Sequence, residues 1–224
     1  MSVSTHDGDE LSRIYRTRFE GQKEYRLAVW RILIGAVFAR WLPADGQILD
    51  LGAGQGEFIN QVEAPGLLAM DLNPDTRHSL RPEVRFLEQD CSAPWPIEEG
   101  SLGLVFTSNF FEHLPDKATL QRTLERAHRA LRPSGRLVAV GPNIRLVQGA
   151  YWDFWDHYLP LTEKSLAELG RLTGFVVEHE WGTTLPYSMS QGFAPPLWGV
   201  RLYARLPFLW RFFGKQFIVV LRKP

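Results

Sequence analysis

Three glycines spaced two apart, Gly52, Gly54 and Gly56, follow directly on the short apolar run QILDL at 47–51. A buried strand that runs straight into a glycine turn fits the opening of an α/β unit, and standing alone it also fits a plain tight turn. The dinucleotide-binding pattern G-x-G-x-x-G would place its last glycine at 57, where this chain has Glu57. Glycines in the loop let the chain turn tightly and let a ligand approach the backbone. A helix beginning in GEFINQV would add free N–H groups for a negatively charged ligand. A carboxylate at the mouth of the loop repels a pyrophosphate and suits a zwitterion or a cation better.

The rest of the chain extends the unit. Apolar runs recur as GLLAMDL (66–72), VRFLEQD (84–90), LGLVFTSN (102–109), GRLVAVG (135–141), FVVEHEW (175–181) and FIVVLRK (217–223). Helical spacing appears over 10–42, where Leu27, Trp30, Ile34, Val37 and Trp41 share a face and Pro43 and Gly46 end the pattern. It appears again over 116–131, with Leu120, Leu124, Ala127 and Leu131 on one face, and over 162–173, beginning at Thr162 with Glu163 in the first turn. Strands alternating with helices imply crossover connections and a mostly parallel sheet covered on both faces. The last two strands have no clear helix between them, which predicts an antiparallel pairing at one end of the sheet.

A chain of 224 residues fits one domain, residues 1–224. Its expected parts are an N-terminal helical segment (10–42), a core (47–141), and two segments outside the alternation, 142–160 and 182–215. Both follow strands of the second half, where insertions build substrate pockets. Both are rich in aromatics, and many of the eight tryptophans lie after residue 150. A single cysteine, Cys91, precludes a disulfide within the chain and suits a reducing interior. The polar, acidic start MSVSTHDGDELSR does not resemble a secretory signal, and no apolar run is long enough to span a bilayer, so a cytoplasmic location is expected. With a formal net charge of zero, no nucleic-acid partner is demanded.

Acids close the first three strands. Asp71 ends the second, where a carboxylate can take both hydroxyls of a ribose. Asp90 ends the third, where it can accept from the exocyclic amine of adenine while the N–H of Cys91 reaches a ring nitrogen. Asp50 stands two residues before the first glycine and suits an ammonium group. Each alone reads equally well as a helix cap or a surface acid. Three on one sheet edge do not.

In order and spacing, LDLGAGQGEF, AMDLNP, EQDCSAPWPIEEGSLGLVFTSNFFEHLPD and RALRPSGRLVAVGPN resemble the class I S-adenosylmethionine-dependent methyltransferases from about residue 47 to 143. The resemblance implies a Rossmann-like, doubly wound seven-stranded sheet of order 3-2-1-4-5-7-6 with the seventh strand antiparallel, and aromatic-rich cap insertions. It implies that Gly52, Ala53, Gly54 and Gly56 cradle the methionine part of S-adenosylmethionine, with Asp50 nearby. Asp71 and Leu72 would bind the ribose, Asp90 and Cys91 the adenine, and Asn109 the methionine part through its backbone; the product would be S-adenosylhomocysteine. YRTRF (15–19) resembles a family segment that packs Tyr15 and Arg18 over the cofactor's carboxylate end, and an amphipathic helix start explains it equally.

Methyl transfer from a sulfonium is a displacement that needs alignment and exclusion of water. A hydroxyl acceptor also needs a base, and His113 in NFFEHLPD and His157 in WDFWDHYLP are the candidates. Each has a plainer reading, His113 in shaping the pocket and His157 in packing among aromatics. A ubiquinone-pathway subgroup of the resembled family binds a divalent metal through E-x-x-E-H; here Asn109 replaces the first Glu, and a neutral amide is a poor ligand for a hard cation, so no metal is expected. The absence of an N/D-P-P-Y/F motif argues against amino-methylation of adenine or glutamine. The lack of a basic, aromatic-laced surface argues against nucleic acid.

The later insertion combines Phe193, Trp198, Phe208, Trp210, Phe212 and Phe213 with Arg201, Arg205 and Arg211. Such a mixture suits the lipid–water interface, and a lid or dimer face accounts for it equally. The expected activity is methyl transfer to oxygen of a small-molecule or lipid- or glycan-linked acceptor, with peripheral membrane contact through 193–213. The rivals are a nicotinamide-dependent oxidoreductase, opposed by Glu57, and a catalytically silent Rossmann-like binding protein, opposed by the three aligned acids.

Overall fold

The computed structural model describes residues 23–187 and 194–224. Tyr15, Arg18, Phe193 and the first part of the expected N-terminal helix lie outside the described residues. One seven-stranded sheet organises the chain, with strand order β3-β2-β1-β4-β5-β7-β6. Its strands are β1 (Gln47–Leu51), β2 (Gly66–Asp71), β3 (Val84–Glu88), β4 (Leu102–Ser108), β5 (Leu131–Pro142), β6 (Val176–Trp181) and β7 (Gln216–Arg222). Pairing is parallel from β3 through β5, and β7 runs antiparallel to both of its neighbours. This is the order and handedness of pairing expected above.

The strand sequences explain their places. In β1, β4 and β7 nearly every side chain is buried, as inner strands with both faces covered require. The edge strands β3 and β6 expose Arg85, Glu88 and Glu178, which blunts edge-to-edge association.

Two apolar layers cover the sheet. On one face lie α2 (Lys117–Ala130) and α4 (Glu163–Leu172), whose Leu120, Leu124, Leu166 and Ala167 meet Leu49, Val105 and Leu221. Asp116 caps α2 by accepting from the N–H of Thr119, and Thr162 caps α4 in a reciprocal pair with Ser165. On the other face lies α1 (Lys23–Leu33), continued by a π-helical turn (Ile34–Phe38) and a 3-10 turn (Ala39–Trp41). Trp30, Phe38 and Phe58 surround Phe106 of β4, the Phe58 and Phe106 rings stacking 3.7 Å apart.

GEFINQV does not begin an α-helix; the structure has only a 3-10 turn, Ile59–Gln61. Few residues separate Gly56 from the start of β2, and Pro65 closes the stretch, so no full helix fits between them. The helix-terminal N–H groups expected beside the glycine loop are therefore not there.

The second insertion forms two short helices, α5 (Leu197–Arg205) and α6 (Pro207–Phe213), while the first holds a single helical turn, α3 (Ile144–Val147). No helix among the described residues is long and apolar enough to cross a membrane.

Candidate functional site

Strand order reverses between β1 and β4, and a crevice outside their carboxyl ends is where an open α/β sheet takes a ligand. The glycine loop leaves β1 there. Gly52, Gly54 and Gly56 all have positive φ, between +52° and +70°, a backbone region that favours glycine.

The loop's N–H groups turn inward. Those of Gly52 and Ala53 both reach the Met70 carbonyl, and that of Gly56 reaches the Ala53 carbonyl. The Gly54 N–H donates to Asp71 Oδ2 at 2.8 Å. None of these four donors remains for a phosphate. Glu57 is neutralised by an ion pair with Arg26 of α1, so it does not repel a pyrophosphate as a lone carboxylate would. The occupied N–H groups and the missing helix disfavour a pyrophosphate instead.

Asp50 and Asp71 flank the loop, and Asp90 lies just past the end of β3. Asp50 is buried, and desolvation, helped by Glu57 and Asp71, pushes its carboxyl up to about 8 against the pull of the Ile59 N–H. Burial also raises Asp71, opposed by the N–H groups of Asn73 and Gly54. Asp90 caps a local turn, accepting from the Ser92 N–H at 2.7 Å. The turn carries Cys91 into the core, where burial pushes its thiol up to about 11 and Thr123 donates to its sulfur. Leu72 is exposed beside Asp71.

Asn109 directly follows β4 with φ +50°; its N–H is spent on the Val140 carbonyl, and its side-chain amide donates to Ser108 Oγ at 3.1 Å. The next residue, Phe110, lies so close to Gly52 that a Cβ there would sit 2.3 Å from its ring.

Just beyond Phe110, a polar cluster forms from two chain segments. His113 Nδ1 lies 2.8 Å from the Asp156 carbonyl and 3.2 Å from Asp156 Oδ2. His157 Nδ1 lies 2.9 Å from the Tyr151 carbonyl. The His113 and His157 rings meet edge-on, 4.9 Å apart. Glu112, His113 and His157 each bring one donor atom within 4.8 Å of the others. The Tyr158 and Leu159 N–H groups both donate to the Glu112 carbonyl, at 2.8 and 3.0 Å, which locks the inserted segment onto the strand end.

Burial pushes the Glu112 carboxyl up to about 7, although His113 pulls the other way. For His113, burial disfavours the charged ring, but Asp156 and Glu112 outweigh it and raise its pKa. The Tyr151 hydroxyl is buried beside this cluster and, among the described residues, has no hydrogen-bond partner.

Sequence reasoning found both histidines but not Asp156 or Tyr151. The missed signal is a pair of acid–histidine doublets, Glu112–His113 and Asp156–His157, one at a strand end and one in an insertion. Sequence reasoning also missed Arg26 as the partner of Glu57. The expectation that no basic, aromatic-laced surface exists is corrected too: Arg201, Arg205 and Arg211 stand exposed among Trp198, Leu202, Phe208 and Phe212. A net charge of zero hid it, because the acids lie elsewhere.

The profile of a family described as a methyltransferase domain matches residues 22–180. Methyltransferase str2 of Strobilurus tenacellus is 31% identical over 84 residues, a match covering 35% of this chain and 30% of that protein's length. A SAM-dependent methyltransferase from Archaeoglobus fulgidus superposes with TM-score 0.65 at 17% identity over 90% of this chain and 97% of that one. A chain from the complex between the Haloferax volcanii Trm112 methyltransferase activator and a methyltransferase gives 0.68 at 19% identity, with 97% of each chain covered.

Proposed function

Since the chain belongs to the methyltransferase domain family and uses S-adenosylmethionine, we propose that it transfers the methyl group to an oxygen of a small-molecule or lipid- or glycan-linked acceptor. The observation that carries this reading is the meeting of the glycine loop with the Glu112–His113–His157 cluster at the carboxyl ends of β1 and β4.

In this reading the cofactor's methionine part lies along Gly52–Gly56, and its ammonium is drawn toward Asp50. Asp71 and Leu72 take the ribose, Asp90 and Cys91 the adenine, and Asn109 offers its carbonyl. The methyl group then points toward the cluster. The acceptor hydroxyl loses its proton there, with His113 and His157 as the catalytic groups. The oxygen attacks the methyl carbon as the carbon–sulfur bond breaks, and S-adenosylhomocysteine leaves as a neutral thioether. A nearby acid also favours the sulfonium over a phosphate-bearing cofactor.

The two-helix surface suits a lipid-linked acceptor. From 194 to 215 the chain has three arginines and Lys215 and no acid, and its exposed aromatics can enter a headgroup layer while the cations meet anionic lipid. We infer that this face makes peripheral membrane contact.

The test is calorimetry with S-adenosylhomocysteine, followed by transfer of labelled methyl from S-adenosylmethionine to fractionated lipid, glycan and small-molecule extracts. Binding of the product with label in an alkali-stable ether supports the reading. Label found only on nitrogen or carbon overturns the oxygen assignment, and no product binding overturns the cofactor placement.

A further inference from the structure

The cluster has the construction of a metal centre. A backbone carbonyl only accepts, so the Nδ1 atoms that face the Asp156 and Tyr151 carbonyls carry the hydrogens. In the neutral rings the lone pairs then reside on the Nε2 atoms of His113 and His157. Fixing a histidine's far nitrogen with a carbonyl or carboxylate is how proteins orient metal ligands, and Asp156 supplies His113 with both.

The third donor is the buried carboxylate of Glu112. Burying it costs free energy unless opposite charge is near, and a divalent cation offsets that cost more fully than two neutral imidazoles. Main-chain bonds hold all three donors in place, since the Glu112 carbonyl receives two N–H groups from the segment that carries His157. The buried Tyr151 hydroxyl, without a partner among the described residues, adds a group for a fourth ligand to bond. Its ring centroid is 4.6 Å from that of His157.

We propose that Glu112, His113 and His157 bind a divalent transition-metal ion, with Zn²⁺ the best fit, and leave a coordination position open for the acceptor's oxygen. Two imidazoles and one carboxylate suit zinc with an open fourth position and do not suit Mg²⁺, which prefers oxygen donors. Asn109 supplies no ligand; the additional donor, His157, comes from the insertion instead. Binding of the ion is independent of the methyl-transfer reading, whereas its use rests on it. A hydroxyl on the ion loses its proton to solvent more readily, and the two imidazoles then act through the metal.

The experiment strips the protein with a chelator and titrates it with Zn²⁺ by calorimetry and with Co²⁺ by visible absorption, using Mg²⁺ for comparison. One equivalent of Zn²⁺ and a Co²⁺ ligand-field spectrum of low coordination number are expected, with no Mg²⁺ uptake. His157→Gln and the near-isosteric Glu112→Gln should each weaken uptake at least about tenfold, while His78→Ala leaves it unchanged. Melting curves identify variants that fail to fold; if His157→Gln does, Glu112→Gln decides. No stoichiometric uptake by the wild-type chain, or uptake that survives in the folded variants, overturns the site. Product binding is measured on the same stripped protein. Product binding without metal uptake sinks the metal site alone, and metal uptake without product binding sinks the cofactor reading alone.

Discussion

Asp71 Oδ2 accepts the Gly54 N–H at 2.8 Å, so the acid that closes β2 also clamps the glycine loop that leaves β1. Its other oxygen accepts the Asn73 N–H at 2.9 Å. One carboxylate thus ties the loop to the turn after β2, and replacing it removes both bonds. Asp71→Ala should weaken S-adenosylhomocysteine binding by about 1–3 kcal/mol, the scale for hydrogen bonds to a charged group. Calorimetry checks this, and an unchanged affinity would remove Asp71 from the ribose site.

Gly52 has φ +70° and the Phe110 ring against it. Gly52→Ala should therefore lower stability by about 1–3 kcal/mol through backbone strain and overpacking together. Denaturant unfolding measures the loss. Adding Phe110→Ala relieves the contact but not the backbone strain, so the double variant should recover part of the difference. Full recovery would show that the dihedral costs nothing.

Asp50 makes ligand-free stability fall as pH rises. Its carboxyl ionises near 3.8 when unfolded and near 8 when buried. Between those values the unfolded chain gives up a proton that the folded chain keeps. Its contribution is complete below the lower value and declines until the upper one, by at most about 1.4 kcal/mol per pH unit. Asp50→Asn should flatten this slope in unfolding curves taken from mildly acidic to mildly alkaline pH and weaken S-adenosylhomocysteine binding. An unaltered slope would show that Asp50 does not titrate in that range.

Membrane contact is testable on α5 and α6. Replacing Trp198, Phe208 and Phe212 with serine should abolish co-sedimentation with vesicles containing anionic lipid. Neutralising Arg201, Arg205 and Arg211 with glutamine should remove about 1 kcal/mol per residue and with it most of the salt sensitivity. A wild-type chain that ignores anionic vesicles would leave a lid or a dimer face for this surface.

The sheet was legible because burial dictates composition. QILDL and FIVVLRK carry the apolar density of inner strands, and FVVEHEW carries the polar alternation of an edge. The helix in GEFINQV was a misreading, since its glycine-to-strand signal matches longer crossovers and only the count of residues before β2 excludes it. His113 was legible from its place after β4. Its partnership with Asp156 was not, because nothing local in the sequence links positions 43 residues apart. The pairing of Arg26 with Glu57 was hidden in the same way, with one partner on a helix and the other in a loop.

The attachment of the first insertion has a consequence for how this enzyme can diversify. Its anchors at Glu112, Tyr151 and Asp156 are main-chain carbonyls, which every amino acid supplies. Trp152, Trp155 and Tyr158 project outward from the same segment. Substitutions at these three positions can thus remodel the exposed surface beside the proposed site while the anchors that hold His113 and His157 stay in place. On the proposed function, selection can retune what is methylated without rebuilding how.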